Sequence, residues 1–275
     1  MDKQINNSIG FIIQARMKSE RLPGKVLLPL PFPDGDSILK IIVSTLRKLK
    51  GTIIVATSGN HENESISDFC DSNQIDCFRG DEDDVLSRFL EIQKSNKFEH
   101  IVRLTADNPF VDYKTIQEVI DFHIKNNNDY THSEGLPLGM NIEIMKGNAL
   151  MDTEKYISNN QDKEHVTLIL KREAKYKKGF YKIDKQINHY RLTIDTIQDF
   201  LMANVVMQVK EDTGLEGVEL VLNIRDNYPW IFESNANVFQ KNSEQNLQKE
   251  LHSAIEILNQ LEYHQTVKVL KNTIN

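Results

Sequence analysis

The chain has 275 residues, 39% of them apolar and 27% charged, with a formal charge of −7. That composition fits an ordinary soluble globular protein of one large domain or two small ones, and the acidic balance excludes a general nucleic-acid binder, which carries a basic face. Two cysteines, Cys70 and Cys77, make neither a disulfide framework nor a zinc-ligand spacing. No run approaches the about eighteen apolar residues that cross a bilayer, and the polar start MDKQINNSIG is too short for a signal peptide. The expectation is a cytoplasmic protein with no membrane or nucleic-acid partner, so that the sequons at Asn6 and Asn63 carry no sugar.

Ile9–Ile13 is an apolar run bounded by loop signals and reads as a buried strand. A polar loop follows, holding Arg16, Lys18, Arg21 and Lys25, with Gly24 among them. Ser37–Leu49 has the spacing of an amphipathic helix with Ser37 as its N-cap. Thr52–Ala56, Ile75–Phe78 and His100–Leu104 read as further strands, alternating with helices over Glu62–Asp71, Asp84–Lys94 and Tyr113–Lys125. This rhythm predicts an α/β fold with a mostly parallel sheet and helices on both faces.

After Asp129 the pattern changes. Tyr130–His132 and Asn141–Met145 are strand candidates joined by the turn GLPLG, Lys163–Ala174 is a predicted helix, and Phe180–Ile183 and Arg191–Ile194 are short strand candidates. Thr196 can cap a helix running to about Val209, and Val218–Arg225 reads as a short helix before a turn at YPW. From Glu244 to about Leu270 the pattern predicts one long helix with an apolar stripe at Leu247, Leu251, Ile255, Leu258 and Leu261, which would cover the sheet or a second subunit. The expected organisation is an α/β domain over 1–212 and a helical C-terminal extension over 213–275 packed on it.

In open α/β sheets ligands bind beyond the carboxyl ends of the strands. Clustered cations in the first such loop imply a polyanion, most simply a nucleoside triphosphate; the competing reading is a solvated basic loop. Gly24 allows close backbone approach to phosphate oxygens, and Lys25 is a point charge suited to a β- or γ-phosphate. The spacing is neither that of a Walker A loop nor that of a dinucleotide fingerprint.

A second strand end, RLTADNP at 103–109, carries Thr105, Asp107 and Asn108. One carboxylate there suits magnesium, which takes one or two carboxylates plus phosphates and waters; the alternative is an Asx turn before Asn-Pro. RLTID at 191–195 puts Asp195 at another predicted strand end, or makes it a helix cap. Asp107 and Asp195 facing a cationic loop make a metal-assisted phosphoryl or nucleotidyl transfer site. Ser58 in ATSGN, Gly80 and Asp81 in RGDEDDVLSR, and Glu143 and His165 beside an acceptor are weaker candidates, each with a plain structural alternative.

Together these segments resemble a known family. QARMKSERLPGKVLLPL looks like the N-terminal signature of the cytidylyltransferases, in the branch of the spore-coat polysaccharide biosynthesis protein F. FRGDEDDVLSRF, VRLTADNPFVD, GLPLGMNIEIM, KEHVT, LTIDTIQDF and LEGVELVLNIRDNYPWIFESNANVFQKN follow in the family's order. The resemblance covers roughly residues 8–242, and the combination is more specific than any one motif.

The resemblance implies the nucleotide-diphospho-sugar transferase fold, a Rossmann-like three-layer α/β/α sandwich with a mixed, mostly parallel sheet and a helical C-terminal appendix. It implies a CMP-sugar synthetase-like nucleotidyltransferase that activates a sugar or sugar acid with CTP for surface polysaccharide biosynthesis, with Mg2+ as cofactor. It further implies a homodimer pairing through the turn at 135–139. On this chain the catalytic set is then Arg16, Lys25, Asp107 and Asp195, with the two aspartates on the metal. Ala15, Arg16, Arg21, Lys25, Ser58, Gly80 and Thr105 contact the nucleotide, and Glu143 and His165 the acceptor. Lys18-Ser19-Glu20 stands where that branch usually has Gly-Ser-Thr, and Lys18 and Glu20 are left out of the site. Two other readings stay open: a glycosyltransferase of the same fold, which usually carries Asp-x-Asp, and a catalytically silent nucleotide-binding subunit.

Overall fold

A computed structural model describes residues 8–238 and 247–274. The first half alternates as its apolar runs predict: β1 (Ile9–Gln14), a small hairpin of β2 (Pro29–Leu30) and β3 (Asp36–Ser37), α1 (Ile38–Leu46), β4 (Thr52–Ser58), α2 (Glu64–Ser72), β5 (Asp76–Gly80), α3 (Val85–Asn96), β6 (His100–Thr105) and α4 (Tyr113–Lys125). Helix starts are fixed by side-chain caps. Ser37 Oγ accepts from Lys40 N at 3.2 Å and an Asp84 carboxylate oxygen from Ser87 N at 2.8 Å, each satisfying an amide that the first helical turn leaves without a partner.

The second half contains β7 (Tyr130–Glu134), β8 (Glu143–Lys146), α5 (Gly147–Thr153), α6 (Asn160–Glu164), α7 (Leu168–Arg172), β9 (Lys178–Lys182), α8 (Ile197–Thr213), α9 (Gly217–Asn227), α10 (Trp230–Glu233), α11 (Leu247–Gln260) and α12 (His264–Ile274). The main sheet has seven strands in the order β5-β4-β1-β6-β8-β7-β9. Pairing is parallel from β5 to β6, antiparallel on both sides of β8, and parallel again between β7 and β9.

Alternate residues of the inner strands feed two cores. Phe11, Ile13, Val55, Val102 and Leu104 pack with α1, α4, α8 and α9 on one face. Ile12, Ile54, Ala56 and Ile101 pack with α3, α5 and α7 on the other. Strands buried on both faces are apolar throughout, which is why they read as continuous runs. The result is a three-layer α/β/α arrangement with a mixed, mostly parallel sheet. Leu220, Val221, Ile224, Ile231 and Phe232 of the helices after residue 213 belong to the first of these cores.

Three predicted elements need correction. Lys163–Ala174 is not one helix: it breaks between α6 and α7, where His165 is extended (φ −111°, ψ 92°). The buried Asp162 carboxylate accepts from Ser158 N at 2.9 Å and from Arg172 at 2.8 Å, and Thr167 turns to Glu143 at 3.0 Å. These tertiary contacts override the local helical pattern. Arg191–Ile194 is extended but forms no strand, making a single bridge to Leu138. The predicted helix from Glu244 to Leu270 is two helices, with Glu262 in the left-handed region (φ 62°) between them, while 244–246 lie outside the described residues. Leu261, placed on the apolar stripe, is 60% exposed at that break; α8 runs four residues beyond the predicted Val209.

Candidate active site

The site grows from the loop after β1. Ala15 N donates to Ala56 O at 3.0 Å, carrying the β1–β4 pairing one step beyond the strand. The chain then turns, and Gly24 N closes the loop on Met17 O at 2.9 Å. Gly24 holds φ 72°, a left-handed conformation that costs other L-residues strain but glycine little. A short 3-10 turn, Lys25–Leu27, starts there and sends Lys25 inward, where it is only 7% exposed.

Lys25 meets the two aspartates. Its ammonium donates to Asp107 Oδ2 at 2.9 Å and to Asp195 Oδ1 at 2.7 Å. The outer oxygen of each carboxylate is anchored separately. Thr105 Oγ1 donates to Asp107 Oδ1 at 2.6 Å; Arg191 donates to Asp195 Oδ2 at 2.7 Å, and Arg21 lies 3.3 Å from that same oxygen. Burial pushes the Asp195 carboxyl up, but the charges and hydrogen bonds of Lys25 and Arg191 outweigh it and hold the group below the usual carboxylate range.

Asp107 follows β6 directly, in the loop after Thr105. Asp195 arrives differently from the strand end that its sequence predicts. Leu192 N and Thr193 N donate to Leu138 O at 2.7 and 3.1 Å, and Ile194 N donates to Asp107 O at 2.9 Å, so the backbone itself ties the two aspartate-bearing segments together. The turn GLPLG is the surface they rest on. A Cβ on Gly139 (φ 98°) would stand 2.5 Å from Thr193 N, so this approach requires glycine. Behind Asp195, Thr196 and Asp199 form a capping box at the start of α8. The fully buried Asp199 pairs with Arg191 at 2.9 Å, and Asn235 Nδ2 donates to Asp199 at 2.8 Å.

The remaining candidates fall into two groups. Arg16 is exposed on the loop. Ser58 is 1% exposed and is a support rather than a free surface group: its Oγ accepts from Asn63 Nδ2 at 2.6 Å, while Asn63 Oδ1 accepts from Met17 N at 2.7 Å. Asn63 thus braces the loop, a role its sequence position does not suggest. Gly80 O accepts from Gly59 N at 2.7 Å, and a Cβ on Gly80 would meet Arg88 Cγ at 2.7 Å.

Glu143 lies deeper along the same sheet face. One of its oxygens accepts from Tyr130 (2.5 Å), Thr167 (3.0 Å) and Lys171 (2.7 Å), and the other from Arg103 (2.5 Å). Arg103 also donates twice to Gln14 Oε1, at 3.1 and 2.9 Å. Burial works against the Glu143 charge, yet Arg103 and Lys171 bring its pKa down to about 2. His165 is half-buried at the α6–α7 break and contributes none of these hydrogen bonds.

The inward oxygens of Asp107 and Asp195 fit a hard divalent cation. They converge on one point from two rigidly joined segments, and Mg2+ requires only one or two protein carboxylates when phosphate oxygens and waters complete the shell. Among the described residues no group of three or more His, Cys, Asp or Glu side chains could enclose a metal. A cavity of about 660 Å³ elsewhere, lined by Gln93, Lys97, Phe98, His100 and Lys146 among others, includes none of the candidate residues.

Comparison with known proteins shows the family and the fold. Residues 10–242 match the family model for cytidylyltransferases. The spore coat polysaccharide biosynthesis protein SpsF of Bacillus subtilis (strain 168) is 37% identical over 204 residues, covering 70% of this chain and 84% of that protein. A cytidylyltransferase structure from Leptospira borgpetersenii serovar Hardjo-bovis (strain JB197) superposes with a TM-score of 0.76 at 27% identity, covering 86% of this chain and 99% of the other. The fold is shared at 13% identity with a CMP:2-keto-3-deoxy-manno-octonic acid synthetase complexed with CTP, with a TM-score of 0.57 over 73% of this chain and 98% of that one. The chain is therefore a nucleotidyltransferase of the cytidylyltransferase family, in the branch of the spore-coat polysaccharide protein.

Proposed function

We propose that this protein is a divalent-metal-dependent CTP:sugar cytidylyltransferase that makes a CMP-sugar and pyrophosphate for surface-glycan synthesis. The observation that carries the reading is the convergence of Lys25, Asp107 and Asp195 from three separate segments beneath a basic loop. Mg2+, held by Asp107 and Asp195, would supply charge neutralisation at the phosphates. Arg16, Arg21 and Lys25 orient the triphosphate and spread its charge. A hydroxyl oxygen of the acceptor attacks the α-phosphorus, the bond from that phosphorus to the bridging α,β oxygen breaks, and pyrophosphate leaves while the hydroxyl proton passes to solvent water. Such chemistry depends on positioning and preorganised charge more than on covalent participation by the protein.

The acceptor docks on the sheet face beyond Thr105, toward Gln14, Arg103 and His165, with Glu143 holding Arg103 in place. The working assembly is a homodimer and its compartment the cytoplasm. The turn at 135–139, a candidate for the dimer contact, has Leu136 and Gly139 buried within the subunit. A glycosyltransferase reading fits less well because the β6 end carries Thr-Ala-Asp at 105–107 rather than two carboxylates.

The test is incubation with CTP, Mg2+ and a panel of neutral sugars, amino sugars and sugar acids, following pyrophosphate and the mass of the product. Acceptor-dependent pyrophosphate with a CMP-linked product is expected. Consumption of a nucleotide sugar instead, with no pyrophosphate from CTP and any acceptor, would overturn the proposal.

A further inference from the structure

The two aspartates divide their oxygens in the same way. The outer oxygens are committed to fixed protein groups, Asp107 Oδ1 to Thr105 and Asp195 Oδ2 to Arg191. The inner oxygens, Asp107 Oδ2 and Asp195 Oδ1, point at a single partner, the Lys25 ammonium. These are the atoms that a divalent ion bound by both carboxylates would need, and Lys25 engages both of them at hydrogen-bond distance.

The two kinds of partner differ in how easily they leave. Arg191 is 7% exposed and locked by Asp199, while Thr105 belongs to a strand of the sheet. Lys25 hangs on a flexible four-carbon stem from a short 3-10 turn, and its ammonium can exchange one set of oxygens for another without moving the backbone. Arg191 and Arg21 face the outer oxygen of Asp195, while Lys25 is the cation that the inner oxygens of both carboxylates share. Removing the ammonium leaves two facing anions, an unfavourable arrangement unless another cation arrives.

We propose that Lys25 is the resident cation of the Asp107–Asp195 site, so that a divalent ion enters only as the ammonium leaves, and that a triphosphate drives the exchange by offering the ammonium new oxygens. The proposal rests on the triphosphate-and-metal reading of the site given above. It makes Lys25 the element that couples nucleotide binding to metal binding. Metal alone must displace an ion pair and leave a buried ammonium without a counter-charge. With nucleotide present, the divalent ion takes the inner carboxylate oxygens and the ammonium takes phosphate oxygens, so neither is left without a counter-charge. By linkage, the factor by which nucleotide tightens the metal equals the factor by which metal tightens the nucleotide. A protein built in this way stays largely metal-free until the nucleotide arrives.

The test measures Mn2+ binding to the full-length protein without nucleotide, by electron paramagnetic resonance of the free ion, in wild type, Lys25→Gln and Lys25→Arg. Lys25→Gln removes the competing charge and is expected to bind Mn2+ at least tenfold more tightly than wild type. Lys25→Arg retains a cation able to bridge both carboxylates and should stay within threefold of wild type. The gain should vanish in the double variant Lys25→Gln/Asp107→Asn.

If Lys25→Gln does not fold without metal, recovery of its far-UV circular dichroism on adding Mn2+, absent in the double variant, reads the same competition. A gain below threefold in Lys25→Gln, an equal gain in Lys25→Arg, or a fold that Mn2+ does not restore would overturn the proposal. Failure of the triphosphate reading would show separately, as wild type gaining no stability from CTP with Mg2+ while the Mn2+ series still behaves as described.

Discussion

Glu143 and the Asp107–Asp195 pair both sit against lysine and arginine, yet they are built to opposite ends. Every acceptor position that Glu143 uses is filled by its own chain, with donors from β6, β7, α7 and the residue before α7. Its strongest partner, Arg103, is committed in turn to Gln14. Asp107 and Asp195 instead anchor one oxygen each and turn the other toward a lysine on a flexible stem. A saturated buried carboxylate fixes structure, because moving it breaks several charge-assisted hydrogen bonds together. A half-committed pair keeps its geometry while leaving oxygens for an incoming ion.

The contrast is broken most sharply by charge removal in the two clusters. Lys25→Ala or Asp195→Asn should lower acceptor-dependent pyrophosphate release by about a hundred- to a thousand-fold, the scale of losing one preorganised charge-stabilising group. Glu143→Gln should act first on stability, lowering the unfolding free energy at pH 7 by about 3 kcal/mol in urea titrations, because Arg103 and Lys171 lose their counter-charge. If Glu143→Gln removed activity without changing the unfolding midpoint, the two clusters would not differ as described.

Acid titration sharpens the same point. The folded Glu143 pKa of about 2 lies below its ordinary 4.5, so its contribution is fully present above the ordinary value and lost as pH falls from about 4.5 toward 2. The stability difference between wild type and Glu143→Gln should shrink by about 3 kcal/mol across that window. Burial also brings His123 down to about 3 from 6.5, which erodes stability from about pH 6.5 downward in both proteins. Only their difference isolates Glu143.

Gly139→Ala tests the support beneath Asp195. An added methyl at φ 98° and 2.5 Å from Thr193 N should cost about 1–3 kcal/mol and slow turnover by displacing the 191–195 segment. Thermal unfolding and steady-state rates measure the two effects separately. The smallest effect is expected at the exposed Lys18, where substitution by alanine should change CTP affinity by less than about threefold, as exposed charges are strongly screened.

The parts of the fold legible in the sequence are those governed by local physics. The apolar runs of β1, β4 and β6 and the capped starts at Ser37 and Thr196 all lie where periodicity and cap chemistry put them. The Tyr113–Lys125 helix has the bounds that its pattern predicts. What failed depends on distant partners. The break at His165 follows from Asp162 and Thr167 finding Arg172 and Glu143, and the extended 191–195 segment is held by Leu138 and Asp107 rather than by a sheet neighbour.

The candidate site divides in the same manner. Lys25, Asp107 and Asp195 are chemically conspicuous in the sequence, and the fold brings them together. Asn63, Arg191 and Asp199 were missed because a brace is recognised only by what it touches. The spacing of four in Arg191, Asp195 and Asp199 gives no helical signal, because α8 begins only at Ile197 and the residues before it are extended. Glu143 drew attention as an acceptor contact, and its four internal donors become visible only in three dimensions.

The measurement that bears most directly on the central claim is a thermal-shift titration with Mg2+, comparing CTP, UTP, ATP and a nucleotide sugar in wild type and in Asp107→Asn. At a hundredfold excess over its Kd, CTP should stabilise wild type by about 2.7 kcal/mol and raise Tm by about 5–10 °C. UTP, ATP and the nucleotide sugar should do less, and Asp107→Asn should lose most of the CTP effect. Equal stabilisation by all the triphosphates, preference for the nucleotide sugar, or an Asp107→Asn protein that responds to CTP like wild type would contradict the account.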